Sequence, residues 1–128
     1  MPRISKPKEM WFEWPDDQLG GRILVRHLKE GDIVAIHSKC SSADTSYVDG
    51  NSASVTSRHD MGLERELVAV AAIAGWENFF DESGKPLECT AAHKRLFAME
   101  DGFYGQLRKF RNELTRIVDE AEEKAKKN

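Results

Sequence analysis

The chain has 128 residues, 40% of them apolar and 32% charged, with a net charge of −3. That length fits one domain with a modest core. The charge balance lacks the basic excess of a DNA- or RNA-binding domain, and two cysteines, Cys40 and Cys89, make no disulfide framework.

No apolar run reaches the ~20 residues of a membrane span, and "MPRISKPKEM" is not followed by the apolar stretch of a secretory leader. The expectation is a cytoplasmic protein with free thiols. A single domain is expected over 1–128: a loose arm at 1–9, a β-rich part at 10–57 and a helical part at 60–127.

In chain order, "MWFEW", Met10 to Trp14, is short, aromatic and strand-like, with Pro15 ending it. "PDDQLGG" is a turn, and "RILVRHL", Arg22 to Leu28, is the return strand of a hairpin. The run Ile33 to Ile36 suits a strand or a short helix, and a helix from about Glu30 to Ser38 is preferred. A polar, Ser-rich span follows, with Asp49-Gly50-Asn51 at its middle. Asp-Gly between β-prone runs predicts a second hairpin of "TSYV" and "SASVTS", extending the first. An irregular loop is the competing reading.

"MGLERELVAVAAIAGW" reads as one helix capped by Asp60, with Glu64 and Glu66 near its start. Leu67 to Ala74 is apolar throughout, which predicts a central, covered helix ending at Gly75. Asp81-Glu82-Ser83-Gly84 is a turn, and Thr90 caps "AAHKRLFAM". Phe103 to Lys127 is the best helix. Phe103, Leu107, Phe110, Leu114, Ile117 and Ala121 step 4-3-4-3-4, and Lys109–Glu113, Arg116–Glu120, Glu120–Lys124 and Glu123–Lys127 are i,i+4 pairs. The seam suits packing on the domain or pairing with a second copy. The fold class is α+β: a small antiparallel hairpin region in the N-terminal half, three to four helices and a long C-terminal helix.

Motifs for catalysis are missing. There is no Gly-x-Ser-x-Gly, phosphate loop or dinucleotide fingerprint. Glu77, Asp81 and Glu82 offer bases with no nucleophile or oxyanion site beside them. "DESGKPLE" fails as a calcium loop, because Lys85 and Pro86 stand where oxygen ligands are needed. Trp76 reads as a buried anchor whose indole N–H finds a partner. His37-x-x-Cys40 and Cys89-x-x-x-His93 are a zinc ligand set if the two pairs meet. Nothing in the sequence brings them together, and the reading adopted is no metal, no cofactor and no enzyme. Arg108, Lys109, Arg111 and Arg116 beside Phe103 and Tyr104 hint at nucleic acid, but the acids from Asp119 to Glu123 make a solvated helix face the better reading.

The order of pieces resembles the tail-assembly chaperones and related minor tail proteins of tailed bacteriophages and prophages. The resemblance rests on "MWFEWPDDQLGGRILVRHL", on "RHDMGLERELVAVAAIAGWENFFDESGKPLECT" and on the charged C-terminal helix. It implies a non-catalytic binder that keeps the tape-measure protein soluble while the tail tube assembles around it. The partners implied are that protein, the tail tube protein and further copies of the chain. A minor structural tail protein is the alternative, and a small zinc-binding domain a more distant one. A client with exposed apolar stripes needs an apolar face to cover them. Two candidate faces are the hairpin aromatics Trp11, Phe12 and Trp14 and the helical seam Phe103, Leu107, Phe110, Leu114 and Ile117; either is equally readable as core. The resemblance also implies "WENFFDESGKPLECT" as a turn holding Trp76 and Leu87 against the core.

Overall fold

In the computed structural model, which describes residues 8–48 and 52–127, the aromatic opening segment is strand β1 (Glu9–Glu13), paired antiparallel with β2 (Arg22–Arg26). Glu9, expected in the loose arm, is therefore part of the sheet, and the His27 N–H donates to the Lys8 carbonyl at 2.8 Å. The rest of that arm lies outside the described residues. β2 alternates as a one-sided strand should: Ile23 and Val25 are buried, while Arg22, Leu24 and Arg26 lie toward the other face.

Helix α1 (Glu30–Cys40) forms where a short helix was preferred, and runs two residues further. Asp32 Oδ2 accepts the Lys29 N–H at 3.0 Å, which ties down its first turn. The Ser-rich span is a hairpin, β3 (Ser41–Val48) and β4 (Ser52–His59), in antiparallel register from Ser41↔His59 to Val48↔Ser52. The predicted Asp49-Gly50-Asn51 turn lies outside the described residues. The hairpin does not extend the first one. It is a separate two-stranded sheet, and the second edge of β2 is taken instead by a later segment of the chain.

Asp60 caps helix α2 (Met61–Ala72), accepting the Leu63 N–H at 3.0 Å. The expected continuation of this helix to Trp76 is corrected by the structure. Ile73–Glu77 is strand β5, antiparallel to β2, and completes a sheet of order β1-β2-β5. The register is Ile23↔Trp76, Leu24↔Gly75 and Val25↔Ile73, with a bulge at Leu24/Val25. The bulge explains the error. Ile73 and Trp76 are three apart, and a regular strand would point them to opposite faces; the irregularity lets both be buried. Ala69, Ala72, Ile73 and Trp76 therefore keep the 3-1-3 spacing of a helix face although the chain has changed structure.

Helix α3 (Ala91–Ala98) starts at Thr90, whose hydroxyl accepts the His93 N–H at 3.2 Å. Helix α4 (Asp101–Lys127) is about 40 Å long at 1.5 Å per residue. The main core gathers Ile23, Val25, Ala69, Ile73, Trp76 and Ala98 against Phe103, Leu107, Phe110, Leu114 and Val118 of α4. The predicted seam is thus the face that packs on the protein's own sheet. Its last two positions are corrected: Val118 is buried, Ile117 is half-buried and Ala121 is exposed. A straight helix turns 3.6 residues per turn, so a strict 4-3-4-3 row drifts off a flat sheet and the contact passes to the neighbouring residue. A smaller cluster of Leu28, Val68 and Ala72 lies under Ile36 of α1. No helix among the described residues is long and apolar enough to cross a membrane.

The outer face of the β1–β2–β5 sheet is framed by charge. Arg26 pairs with Glu9 at 3.1 Å and Arg22 with Glu77 at 2.7 Å, each with the residue opposite it in register. Trp11 is 39% exposed on this face, under the Arg22 guanidinium at 4.3 Å from the ring centroid.

Candidate functional site

The hairpin aromatics divide between the two faces of the sheet. Phe12 turns inward and stacks on Phe110 with ring centroids 4.7 Å apart. Trp14 stacks on Phe103 at 4.9 Å and meets Phe79 edge-on at 5.8 Å. Phe79 in turn stacks on Trp76 at 4.9 Å, and Phe97 stacks on Phe103 at 4.8 Å. This ring network is partly core and partly the floor of an open groove of about 700 Å³. Trp14, Leu19, Phe79, Phe80, Phe97 and Phe103 line it, and Asp17, Asp81 and Glu100 stand around it. Offset and edge-on ring pairs each add about 0.5–1.5 kcal/mol beyond area burial, so the floor is a stiff surface.

Two loops hold the groove open, and each is fixed by its own sequence. In the β1–β2 loop, Asp17 accepts the Leu19 N–H at 3.0 Å through Oδ1 and the Gly21 N–H at 2.9 Å through Oδ2. Asn78, at φ 59°, donates its side-chain amide to the Gly20 carbonyl at 3.0 Å and ties this loop to the end of β5. Gly21 lets Asp17 approach closely, since a Cβ would stand 2.4 Å from Asp17 Oδ2 and 3.3 Å from the Phe79 ring and would displace the carboxylate from its loop hydrogen bonds.

The second loop is the acidic turn. Asp81 Oδ1 accepts from the Ser83 N–H at 2.9 Å, the Ser83 hydroxyl at 2.7 Å and the Lys85 N–H at 2.9 Å. The Ser83 hydroxyl first, then the Lys85 N–H, holds the Asp81 carboxyl below the usual carboxylate range. Gly84 takes the left-handed conformation at φ 83°, and Phe80 bridges to Pro86. Trp76 Nε1 donates to the Leu87 carbonyl at 2.9 Å, and Leu87 packs on the main core. The turn therefore anchors Trp76 as the sequence suggested, although Trp76 sits on a strand and not at a helix end.

Of the predicted partner-binding residues, Trp14 and Phe103 reach the groove. Phe12, Leu107, Phe110 and Leu114 pack in the core, Ile117 lines a shallower cleft between α4 and β1, and Trp11 faces outward on the sheet. Sequence reasoning missed Leu19, Phe79, Phe80, Phe97 and Glu100. The adjacent pair Phe79-Phe80 before a Gly turn was the available signal, since two large rings in a turn have no core of their own to fill.

The zinc set weighed and set aside from the sequence, His37, Cys40, Cys89 and His93, does not assemble. Cys89 is half-buried against the main core, and the His93 Nδ1–H donates to the Glu88 carbonyl at 2.7 Å. Cys40 is buried at the end of α1, where burial foremost pushes its thiol up. His37 instead meets His59 and Glu64. The imidazole centroids are 4.6 Å apart, and Glu64 lies 3.6 Å from His37 Nδ1 and 2.9 Å from His59 Nε2. The hydrogen bond from His59 is the leading cause that holds the Glu64 carboxyl below its ordinary range. On α4, Arg116 pairs with both Glu113 and Glu120, and Arg108 lies over the Tyr104 ring at 5.4 Å, so these cations are engaged within the chain. No family of known proteins, no curated protein and no solved structure matches the chain.

Proposed function

We propose that the chain is a non-catalytic binding protein of the tail-assembly chaperone kind, whose client is the tape-measure protein of a bacteriophage or prophage. The observation that carries the binding role is the aromatic groove between the β1–β2 loop, the acidic turn and α3–α4. Its floor is apolar and stiff, and Leu19 at its edge is 66% exposed. Asp17, Asp81 and Glu100 make its surround acidic. The occupant that fits is an apolar segment of another polypeptide with Lys or Arg beside the apolar residues. The client docks rings or aliphatic side chains on Phe80, Phe97 and Trp14, and its cations meet the acids. A long helical tape-measure chain offers many such segments before the tube encloses it.

The bound client would lose the exposed stripe through which it aggregates, and release requires only that the growing tube compete for the same stripe. Nothing in this role needs a nucleophile or a cofactor. The test is co-expression with the tape-measure reading frame. The expected result is soluble client that co-purifies with the chain, and loss of at least tenfold in affinity with Leu19→Ser or Glu100→Lys. Both positions are exposed, so the fold is retained. Intrinsic tryptophan fluorescence, to which Trp14 on the groove floor contributes, supplies the titration signal. A client equally insoluble with and without the chain, or bound equally by both variants, would overturn the reading.

A further inference from the structure

We propose that His37, His59 and Glu64 form a zinc site that clamps the base of the β3–β4 hairpin to helices α1 and α2. The three residues come from three elements: His37 from α1, His59 from the end of β4 and Glu64 from the first turns of α2. One donor atom from each lies within 4.8 Å of the others. Tetrahedral zinc with bonds near 2.0–2.1 Å sets its donors about 3.3 Å apart. The observed separations are 3.6 Å from His37 Nδ1 to Glu64 Oε1 and 2.9 Å from His59 Nε2 to Glu64 Oε2, one to each carboxylate oxygen, so one shared oxygen ligand needs a turn of the carboxylate. The two imidazoles stack with centroids 4.6 Å apart, so the ion enters with a rotation of the rings that turns a lone pair of each toward it.

The chemistry of the donors selects the ion. Two imidazole nitrogens and one carboxylate oxygen suit zinc and its transition-metal neighbours, whereas calcium and magnesium ask for oxygen. The site also has the outer support that a metal-bound histidine needs. Ser41 Oγ lies 2.8 Å from His59 Nδ1. Without metal, His59 donates its Nε2–H to Glu64, and the Ser41 hydroxyl donates to Nδ1. With metal, the imidazole carries its proton on Nδ1, the Ser41 oxygen accepts it, and Nε2 is free to ligate. At His59, a tautomer change and a rotation of the Ser41 hydroxyl separate the two states.

The Ser41↔His59 pair is the last rung of the hairpin, and the Asp60 N–H donates to the Cys40 carbonyl at 2.8 Å beside it. An ion held there ties hairpin, α1 and α2 at one point, where the structure otherwise offers few apolar contacts. Three protein ligands leave a fourth position for water, and a shallow groove lined by Ser42, Ser57 and Arg58 lies beside His37 and His59. This proposal is independent of the client-binding reading, since the aromatic groove shares none of these residues.

The test is calorimetric titration of the untagged, chelator-stripped full chain with zinc chloride. Saturation at one zinc per chain, with a micromolar or tighter Kd, is expected. His37→Ala should weaken binding at least tenfold. His37 has a side chain 63% exposed, so this variant folds even if a His59 substitution does not. Ser41→Ala should weaken it about tenfold or more through loss of the outer support. Cys89→Ser and His93→Ala should leave it unchanged. Hydrogen exchange at residues 41–43 and 57–60 should slow on zinc addition. No saturable binding, a stoichiometry other than one, binding undiminished by His37→Ala, or dependence on Cys89 or His93 would each overturn the proposal.

Discussion

Around α4 the chain spends its apolar residues inward, and among the described side chains of α1, β3 and β4 it largely does not. Ile23, Ile73 and Leu107 are at most 1% exposed, and rings from β1, β5, α3 and α4 stack in one network. In α1 only Cys40 is buried, and Ile33 and Val34 of α1 and Val55 of β4 are 46, 58 and 64% exposed. One region is held by packing. The other is held at its base by polar contacts: the Cys40–Asp60 backbone bond and the chain Ser41–His59–Glu64. The difference teaches where each kind of function can sit. A preformed docking groove needs the stiff region, and a site that tightens on binding an ion suits the soft one.

The largest expected effect tests the stiff region. Leu107→Ala, at a position 0% exposed, should cost about 3 kcal/mol, read from urea denaturation at constant slope. Val55→Ala in the hairpin should stay within about 0.5 kcal/mol of the parent. Equal losses at the two positions would end the comparison. Next comes the corrected seam. Val118→Ala should cost about 2 kcal/mol and Ile117→Ala about half as much, although Ile removes more atoms. The reverse order would restore the heptad reading. Thr90→Ala should cost about 1 kcal/mol by leaving the His93 N–H without its acceptor at the start of α3.

These positions also show what the sequence made legible. Strands β1 and β2, the short α1, the caps at Asp60 and Thr90 and the long last helix were readable because each is specified by neighbours in the chain. β5 was not, because Ala69, Ala72, Ile73 and Trp76 carry helical spacing across a helix-to-strand switch that only pairing with β2 decides. The groove was half legible. Trp14 was named as a hairpin aromatic and Phe103 as the start of the helical seam, but Leu19, Phe80 and Phe97 come from other segments, which only the fold brings to one rim. His59 and Glu64 carry no motif with His37, since the residues lie on three elements and their meeting depends on the hairpin returning to its own base.

The smallest expected effect lies at the groove's edge and is a matter of pH. Asp81 is held below the usual carboxylate range by the Ser83 hydroxyl and the Lys85 N–H, so the folded state favours its ionised form. In the unfolded chain the group titrates near about 3.9. Its contribution is therefore fully present above that value and is lost as pH falls through the lower folded pKa. Asp81→Asn keeps an acceptor and removes the charge. The stability difference between parent and variant should be constant from neutral pH down to about 5 and should close in more acid solution. A difference that persists unchanged at pH 2 would mean that the turn's hydrogen bonds do not depend on the ionised carboxylate. The sign also bears on binding. A carboxyl whose pKa is lowered by its own turn remains charged at neutral pH, so the acid beside the aromatic floor keeps its charge.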